Sequence, residues 1–405
     1  MAKAAMDLDR TREEMQKHGL DALIATNEHN IYWASGKPPK SPPEGDKPVY
    51  VVIPVDPALE PAMVISEFDA IVAKSKDLPI TDMRVYTGWQ EIKSVDEIRE
   101  GKARRVAKPY QHDHKISQRL LSDILKDKGL QNGTIGIEGR FMISHVVYSM
   151  LVENNPKAKF VDAEEIFWDL RSIKTEDEIK AIKAATALAL KGFWGMLSGG
   201  IIGKTLIDLQ CRFRDTVFRE VSDSDLMGLV WRNQFMSAGD PIAGRFTPEH
   251  RIKEGEIIFW DGGVVLNHYN SDFGRVFSAG KTGPLERKLY YAMKAGFEAG
   301  LELVRPGTKM CELWQAVHEG VRRAGFDWFF RGHCGHTIGT GPPGEQPPFI
   351  SEHNETVLKP NMVICLECPL HVRGLGGFHM EDEFLIIPDG YELLTPITRE
   401  LVEVY

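Results

Sequence analysis

The chain is short of cysteine, of long apolar runs and of positive charge, and each shortage excludes a class of protein. Its five cysteines, Cys211, Cys311, Cys334, Cys365 and Cys368, are odd in number and unevenly spaced over 405 residues. That usage fits reduced thiols in a cytoplasmic protein better than a disulfide framework. The longest apolar stretches, at 256–265 and 362–366, fall far short of the roughly 20 residues a membrane helix needs, so no membrane partner is expected. The first ten residues are charged rather than apolar, unlike a secretory leader. Lys and Arg number 49 against 58 Asp and Glu, a net charge of −9 that argues against a nucleic-acid partner. The basic cluster at 102–108 follows the acidic 96–100 and reads as a solvated helix face.

What is present is the make-up of a soluble enzyme-sized protein. Hydrophobic residues at 42% and charged residues at 26% suit a globular chain, and 405 residues can build two cores. Helical spacing over 7–19, stopped by Gly19, precedes a strand-like 21–26. Apolar runs at 49–53, 63–66 and 135–137 alternate with helical stretches near 114–128 and 143–154, which predicts an α/β domain. Five prolines between Lys37 and Pro48 predict an extended loop. Thr175-Glu-Asp-Glu178 is a capping box that opens a long helix to about residue 197. Beyond it, helices are expected over 284–303 and 309–324, and strands over 256–265, 270–278, 361–368 and 381–387. The fold class is therefore α/β (α+β) in two domains, 1–167 and 168–405. Two nucleotide-like motifs are decoys. Gly203-Lys204-Thr205 lacks the earlier glycine of a phosphate loop and follows a helix end rather than a strand, while prolines follow Gly339-x-Gly341 where a helix would have to begin.

The segment from Phe259 to Arg275 carries chemistry. With a tight turn at Leu266-Asn267, Asp261 would face Asp272 directly, and two like charges so placed repel unless a cation sits between them. A pair of metal ions is the economical answer. His336 lies between Gly335 and Gly339, which permits close backbone approach. Glu367 and Glu381 fall inside apolar strand-like runs, where an unpaired charge is costly. Four acids and a histidine form a donor set suited to Mn, Fe, Co or Zn. Cys365 and Cys368 flank Glu367, but strand alternation sends them to opposite faces, so they are not expected to act as a pair.

These motifs, in this order, resemble the superfamily of creatinase, prolidase, aminopeptidase P and methionine aminopeptidase, the pita-bread fold, with a layout like that of Xaa-Pro dipeptidases. Asn30-Ile-Tyr-Trp-Ala-Ser-Gly36 resembles a stretch of its small creatinase-like amino-terminal domain, and Leu170-Arg171-x-Ile-Lys174 the start of its catalytic domain. The resemblance implies two divalent transition-metal ions held by Asp261, Asp272, His336, Glu367 and Glu381. Asp272 and Glu381 would bridge, His336 and Glu367 would share an ion with Asp272, and Glu367 would handle the proton of the attacking water. It also implies a cytoplasmic homodimer acting on a small molecule or short peptide.

The chain departs from the family at three places. A histidine usual before the first aspartate falls here on Arg245 or Phe246, one usual seven residues after the ligand histidine is Pro343, and an arginine usual two residues before the last ligand is His379. His333 is then expected to act with Glu367 in catalysis, and Arg245 and His379 to contact substrate, with Trp231, Trp260 and Phe246 as apolar walls. An Xaa-Pro dipeptidase-type hydrolase is the leading expectation. The alternatives are a metal-dependent non-peptidase of the same fold, such as a C–N hydrolase or a dimethylsulfoniopropionate lyase on a small zwitterion, and a non-catalytic binding protein.

Overall fold

Strands buried on both faces build the amino-terminal half. A computed structural model describes residues 5–38, 48–75, 77–87, 93–104, 114–138, 145–231, 235–240, 249–341 and 344–405. The chain divides into two compact units, Met1–Arg171 and Ser172–Tyr405. The first holds β1 (Ala22–Ala25), β2 (Tyr50–Pro54), β3 (Ala62–Ser66), β4 (Asp82–Tyr86), β5 (Thr134–Ile137) and β6 (Lys159–Asp162). They form one mixed sheet in the order β4-β3-β2-β1-β5-β6. Leu23, Ala25, Val51, Ile53, Met63 and Ile65 pack on one face with Met15 and Phe167, and Ala22, Ile24, Val52, Val64 and Ile135 on the other with Leu121 and Ile124. Helices on both faces make the central strands apolar throughout. The helix Leu8–Lys17 is capped by the Asp7 side chain, as the pattern over 7–19 leads one to expect.

One expectation for this unit needs amending. The helix Val95–Arg99 ends before the basic cluster, whose residues 102–104 are largely exposed but not helical, because Gly101 at φ +63° breaks the turn. The remainder of that cluster, and residues 39–47 of the proline-rich stretch, lie outside the described residues.

In the second unit Thr175 and Glu178 form the expected capping box on the helix Glu176–Leu197. A further helix, Leu206–Glu220, was not anticipated, although Thr205 and Asp208 make a second capping box and Leu206, Leu209, Phe213 and Val217 are its buried face. Gly203-Lys204-Thr205 thus leads into a helix after all, with the Thr205 hydroxyl spent on the Asp208 amide. The strands are β7 (Leu229–Trp231), β8 (Phe235–Ala238), β9 (Ile257–Gly262), β10 (Val264–Leu266), β11 (Tyr269–Asn270), β12 (Phe273–Ala279), β13 (Gly335–Thr337), β14 (Val363–Glu367), β15 (Leu370–Val372), β16 (Gly376–Phe378), β17 (Glu381–Ile387), β18 (Gly390–Leu393) and β19 (Val402–Val404). The main sheet runs β13-β14-β17-β12-β9-β8, with neighbours along this path antiparallel. Ile258, Trp260 and Phe277 pack against Phe193 and Phe213 of the two helices just named. Leu366, Phe384 and Ile386 pack against Phe297 and Val317 of the helices Pro284–Leu301 and Met310–Arg323.

Candidate metal centre

The register of this sheet aligns acids from three strands. Asp261 on β9 pairs with Gly274 on β12, Gly274 with Glu381 on β17, and Glu381 with Glu367 on β14. Directly paired residues share a face, so Asp261, Glu381 and Glu367 stand in one row. Their apolar neighbours Trp260 and Leu366 point the other way, into the two cores. His336 pairs with Cys365, two residues before Glu367, and so joins the same face. The sheet builds the cluster, and the cores behind it hold the sheet.

The hairpin between the aspartates differs from expectation. Its turn is Asn267-His268, both at positive φ (48° and 73°), one step later than Leu266-Asn267. That two-residue turn matches the twist of the strands and spares a leucine the left-handed conformation. Asp261 therefore faces Gly274, and Asp272 lies two residues before it, diagonal to Asp261 rather than opposite.

The donors nonetheless converge. His336 Nε2 is 3.7 Å from Asp272 Oδ2 and 3.5 Å from Glu381 Oε1. His379 Nε2 is 3.6 Å from Glu367 Oε2 and 3.5 Å from Glu381 Oε2. One donor atom each from Asp261, His379 and Glu381 falls within 4.8 Å of the others, as do those of His336, Cys365 and Glu381. Asp272, His336, Glu367, His379 and Glu381 are all buried, and Asp261 partly so. The set fits a hard transition-metal ion, since buried carboxylates this close together need positive charge among them. Gly335, at φ +139°, lets His336 in: a Cβ there would come within 2.1 Å of the Cys365 carbonyl oxygen.

Around these acids lies a supporting layer in which His333 was expected and Arg331, Asp382 and Glu383 were missed. Arg331 Nη2 donates to both oxygens of Glu367, at 3.2 and 3.3 Å, and its Nε donates to the His333 carbonyl at 2.8 Å. Trp314 and His318 of the helix Met310–Arg323 bond the Arg331 carbonyl and amide. His333 Nδ1 stands 3.1 Å from Glu367 Oε1. Burial alone would raise the Glu367 carboxyl, but the His333 contact and the Arg331 charge outweigh it and hold it well below the carboxylate range. Burial pushes the His379 imidazole down to about 3 against the pull of Glu367, so it is neutral. Asp382, next to Glu381 but on the opposite face, accepts from Arg275, from Arg399 at 2.7 Å and from Thr395 at 3.0 Å. Arg275 also donates to the Glu381 carbonyl, which ties β17 to β12. Glu383 takes the Asp272 amide at 3.3 Å and the Thr186 hydroxyl. An acid inside an apolar strand was the available signal for Asp382 and Glu383, as for Glu367; Arg331 had none.

Other expected participants fall elsewhere. Arg245, Phe246 and Pro343 lie outside the described residues. Trp260 is a core residue packed in tilted contacts among Phe193, Phe213 and Phe273, not a pocket wall, because it alternates with Asp261. Trp231 packs on Phe218 under Arg214. Cys365 Sγ approaches the Asp272 carbonyl while Cys368 Sγ meets Met293, on opposite sides as alternation requires.

With this geometry established, comparison with known proteins gives consistent results. Residues 177–388 match the profile of metallopeptidase family M24, and residues 8–173 that of the creatinase/prolidase N-terminal domain. The Xaa-Pro dipeptidase of Pyrococcus furiosus is 26% identical, over 98% of this chain and 99% of that protein. That of Pyrococcus horikoshii is 24% identical, over 96% and 97%. Among solved structures, a dipeptidase from Pyrococcus horikoshii superposes with a TM-score of 0.79 at 21% identity, covering 98% of this chain and 100% of that one. An Xaa-Pro dipeptidase from Bacillus anthracis does so with 0.77 at 20%, covering 98% of each.

Proposed function

The chain belongs to metallopeptidase family M24, and from that premise we propose that it is a dinuclear metal-dependent hydrolase of the Xaa-Pro dipeptidase type, acting on short peptides. The observation that carries the reading is the convergence on one sheet face of Asp261, Asp272, His336, Glu367 and Glu381. The relatives named Xaa-Pro dipeptidase, matched over nearly the whole chain, supply the substrate class. Asp261, Asp272, His336, Glu367 and Glu381 would hold the ions, with Asp272 and Glu381 shared. Bound there, two divalent ions would supply Lewis acidity and water activation near neutral pH.

The protein's own groups do the rest. Glu367 moves the proton at its Oε1, and His333, 3.1 Å away and 28% exposed, passes it toward solvent. Arg331 fixes both Glu367 oxygens and so sets the angle at which that proton is taken. The departures at Arg245, Pro343 and His379 keep one rival in play, a non-peptidase acting on a small zwitterion.

The test strips the protein with a chelator, reconstitutes it with Mn(II) or Co(II), and assays Xaa-Pro dipeptides, N-substituted amino acids and dimethylsulfoniopropionate. Two ions per chain and metal-dependent dipeptide turnover are expected, with Asp272→Ala losing both. Turnover confined to the non-peptide substrates would replace the dipeptidase reading with its rival.

A further inference from the structure

We propose that His379 is a sixth metal ligand, its Nε2 completing the ion held by Asp261 and Glu381, so that each ion carries one imidazole. The proposal rests on the dinuclear reading above and takes His379 out of the substrate contacts.

The sheet makes a place for this ring. His379 precedes Glu381 by two residues and lies over Gly274, the side-chain-free position in the row between Asp261 and Glu381. A Cβ on Gly274 would come within 2.5 Å of the His379 ring at Cε1 and 2.8 Å at Nε2, so any other residue there would expel it. On another side the ring stacks against Phe259, with centroids 5.0 Å apart and planes at 27°. In this orientation Nε2 faces the acids.

Three observations then point to an ion. His379 is 1% exposed, and neither of its ring nitrogens has a hydrogen-bond partner among the described residues. Burying an imidazole unpartnered is costly, and ligation at Nε2 supplies the missing contact. Its Nε2 lies 3.5 Å from Glu381 Oε2, and one donor atom each from Asp261, His379 and Glu381 falls within 4.8 Å of the others, as suits ligands of one ion. Two donors about 2.1 Å from one ion at angles near 90–110° stand roughly 3.0–3.4 Å apart. Finally, Glu381 presents Oε1 to His336 at 3.5 Å and Oε2 to His379 at 3.5 Å. A carboxylate with one imidazole at each oxygen is what a bridge between two histidine-bearing ions requires. His336 is already set for this, since its Nδ1 donates to the Thr337 carbonyl at 3.0 Å and leaves Nε2 for metal.

The experiment counts imidazoles on the metal. In the Co(II)-loaded wild type, proton NMR should show two paramagnetically shifted, exchangeable imidazole N–H resonances, and His379→Gln should remove one. Calorimetric titration with Mn(II) should show two sites in the wild type. In His379→Gln one site weakens at least about tenfold while the other holds within about threefold. A single shifted resonance in a wild type that binds two ions overturns the proposal while leaving the dinuclear reading intact. So does a His379→Gln protein with both affinities unchanged. Fewer than two ions on the wild type overturns the dinuclear reading and this proposal with it. Should His379→Gln fail to fold, the resonance count on the wild type still decides.

Discussion

Glu138 and Glu367 are both glutamates at the end of a short apolar strand, both buried, and they behave in opposite ways. Glu138 follows β5 and accepts the backbone amides of Thr26 and Asn27, at the start of the helix Glu28–Ser35. Burial, with Glu164 adding to it, outweighs those two bonds and pushes its carboxyl up to about 8. Glu367 suffers the same burial, yet the His333 contact and the Arg331 charge hold it ionised. Burial alone is therefore no mark of function. A buried acid becomes a ligand candidate when its surroundings demand the charged form, and a structural one when they tolerate the neutral form.

The same substitution at both positions should separate them most widely. Glu367→Gln is expected to lower kcat/KM at least about 10³-fold, because a proposed ligand and proton carrier is lost. It should also destabilise the chain by on the order of 1–3 kcal/mol at neutral pH, since Arg331 and His333 lose their anion. Steady-state kinetics and denaturant titration of the metal-free protein measure the two effects. Activity within tenfold of wild type would remove Glu367 from the chemistry and collapse the contrast with Glu138.

A smaller effect should come from the cation that keeps Glu367 charged. Arg331→Met is expected to weaken metal binding or kcat/KM by about 10–100-fold, the usual cost of losing a group that orients a ligand. Arg331→Lys should recover only part, because a lysine brings the charge without the fork that reaches both oxygens. Full recovery by lysine would show that charge alone matters; no loss in Arg331→Met would make the contact incidental.

The contrast also explains what could be read from the sequence. Ile135-Gly-Ile-Glu138 and Ile364-Cys-Leu-Glu367 look alike as strings, and only the motif surrounding Glu367 singled it out. Patterns local to one element were legible: the capping box at Thr175, the strands bearing Glu367 and Glu381, the opposite faces of Cys365 and Cys368. The hairpin turn was displaced by one step because Asn267 fits either of two turn frames, and a single step moves Asp261 from Asp272 to Gly274. The helix Leu206–Glu220 carried a readable cap and period, and the phosphate-loop look of Gly203-Lys204-Thr205 obscured it. Arg331 was beyond reach in principle. It meets Glu367 across 36 residues of chain, and nothing in Phe330-Arg331-Gly332 marks it. His379 could be placed near the site from its position before Glu381, but its ring position depends on Gly274 and Phe259, on the next strand and the one beyond it.

The smallest expected effect on activity is at Glu138, where the change falls on stability and its sign follows from linkage. Its folded value of about 8 lies above the unfolded value of roughly 4.3, so the native state binds the proton more tightly. The stability that this neutral carboxyl contributes is fully present below about pH 4. Between there and about pH 8 the unfolded chain has released the proton while the native one keeps it, and stability falls as pH rises. Above about 8 the contribution is gone. Glu138→Gln has no proton to lose, and its carboxamide oxygen can still accept the Thr26 and Asn27 amides, so it lacks this slope. Thermal melts of wild type and variant at pH 5 and pH 9 should show the difference in Tm moving by several degrees in the variant's favour, on the order of a few kcal/mol. Activity at neutral pH should not change. A Tm difference that stays constant from pH 5 to pH 9 would mean that Glu138 is ionised in the native state like Glu367, and that something cationic compensates it as well.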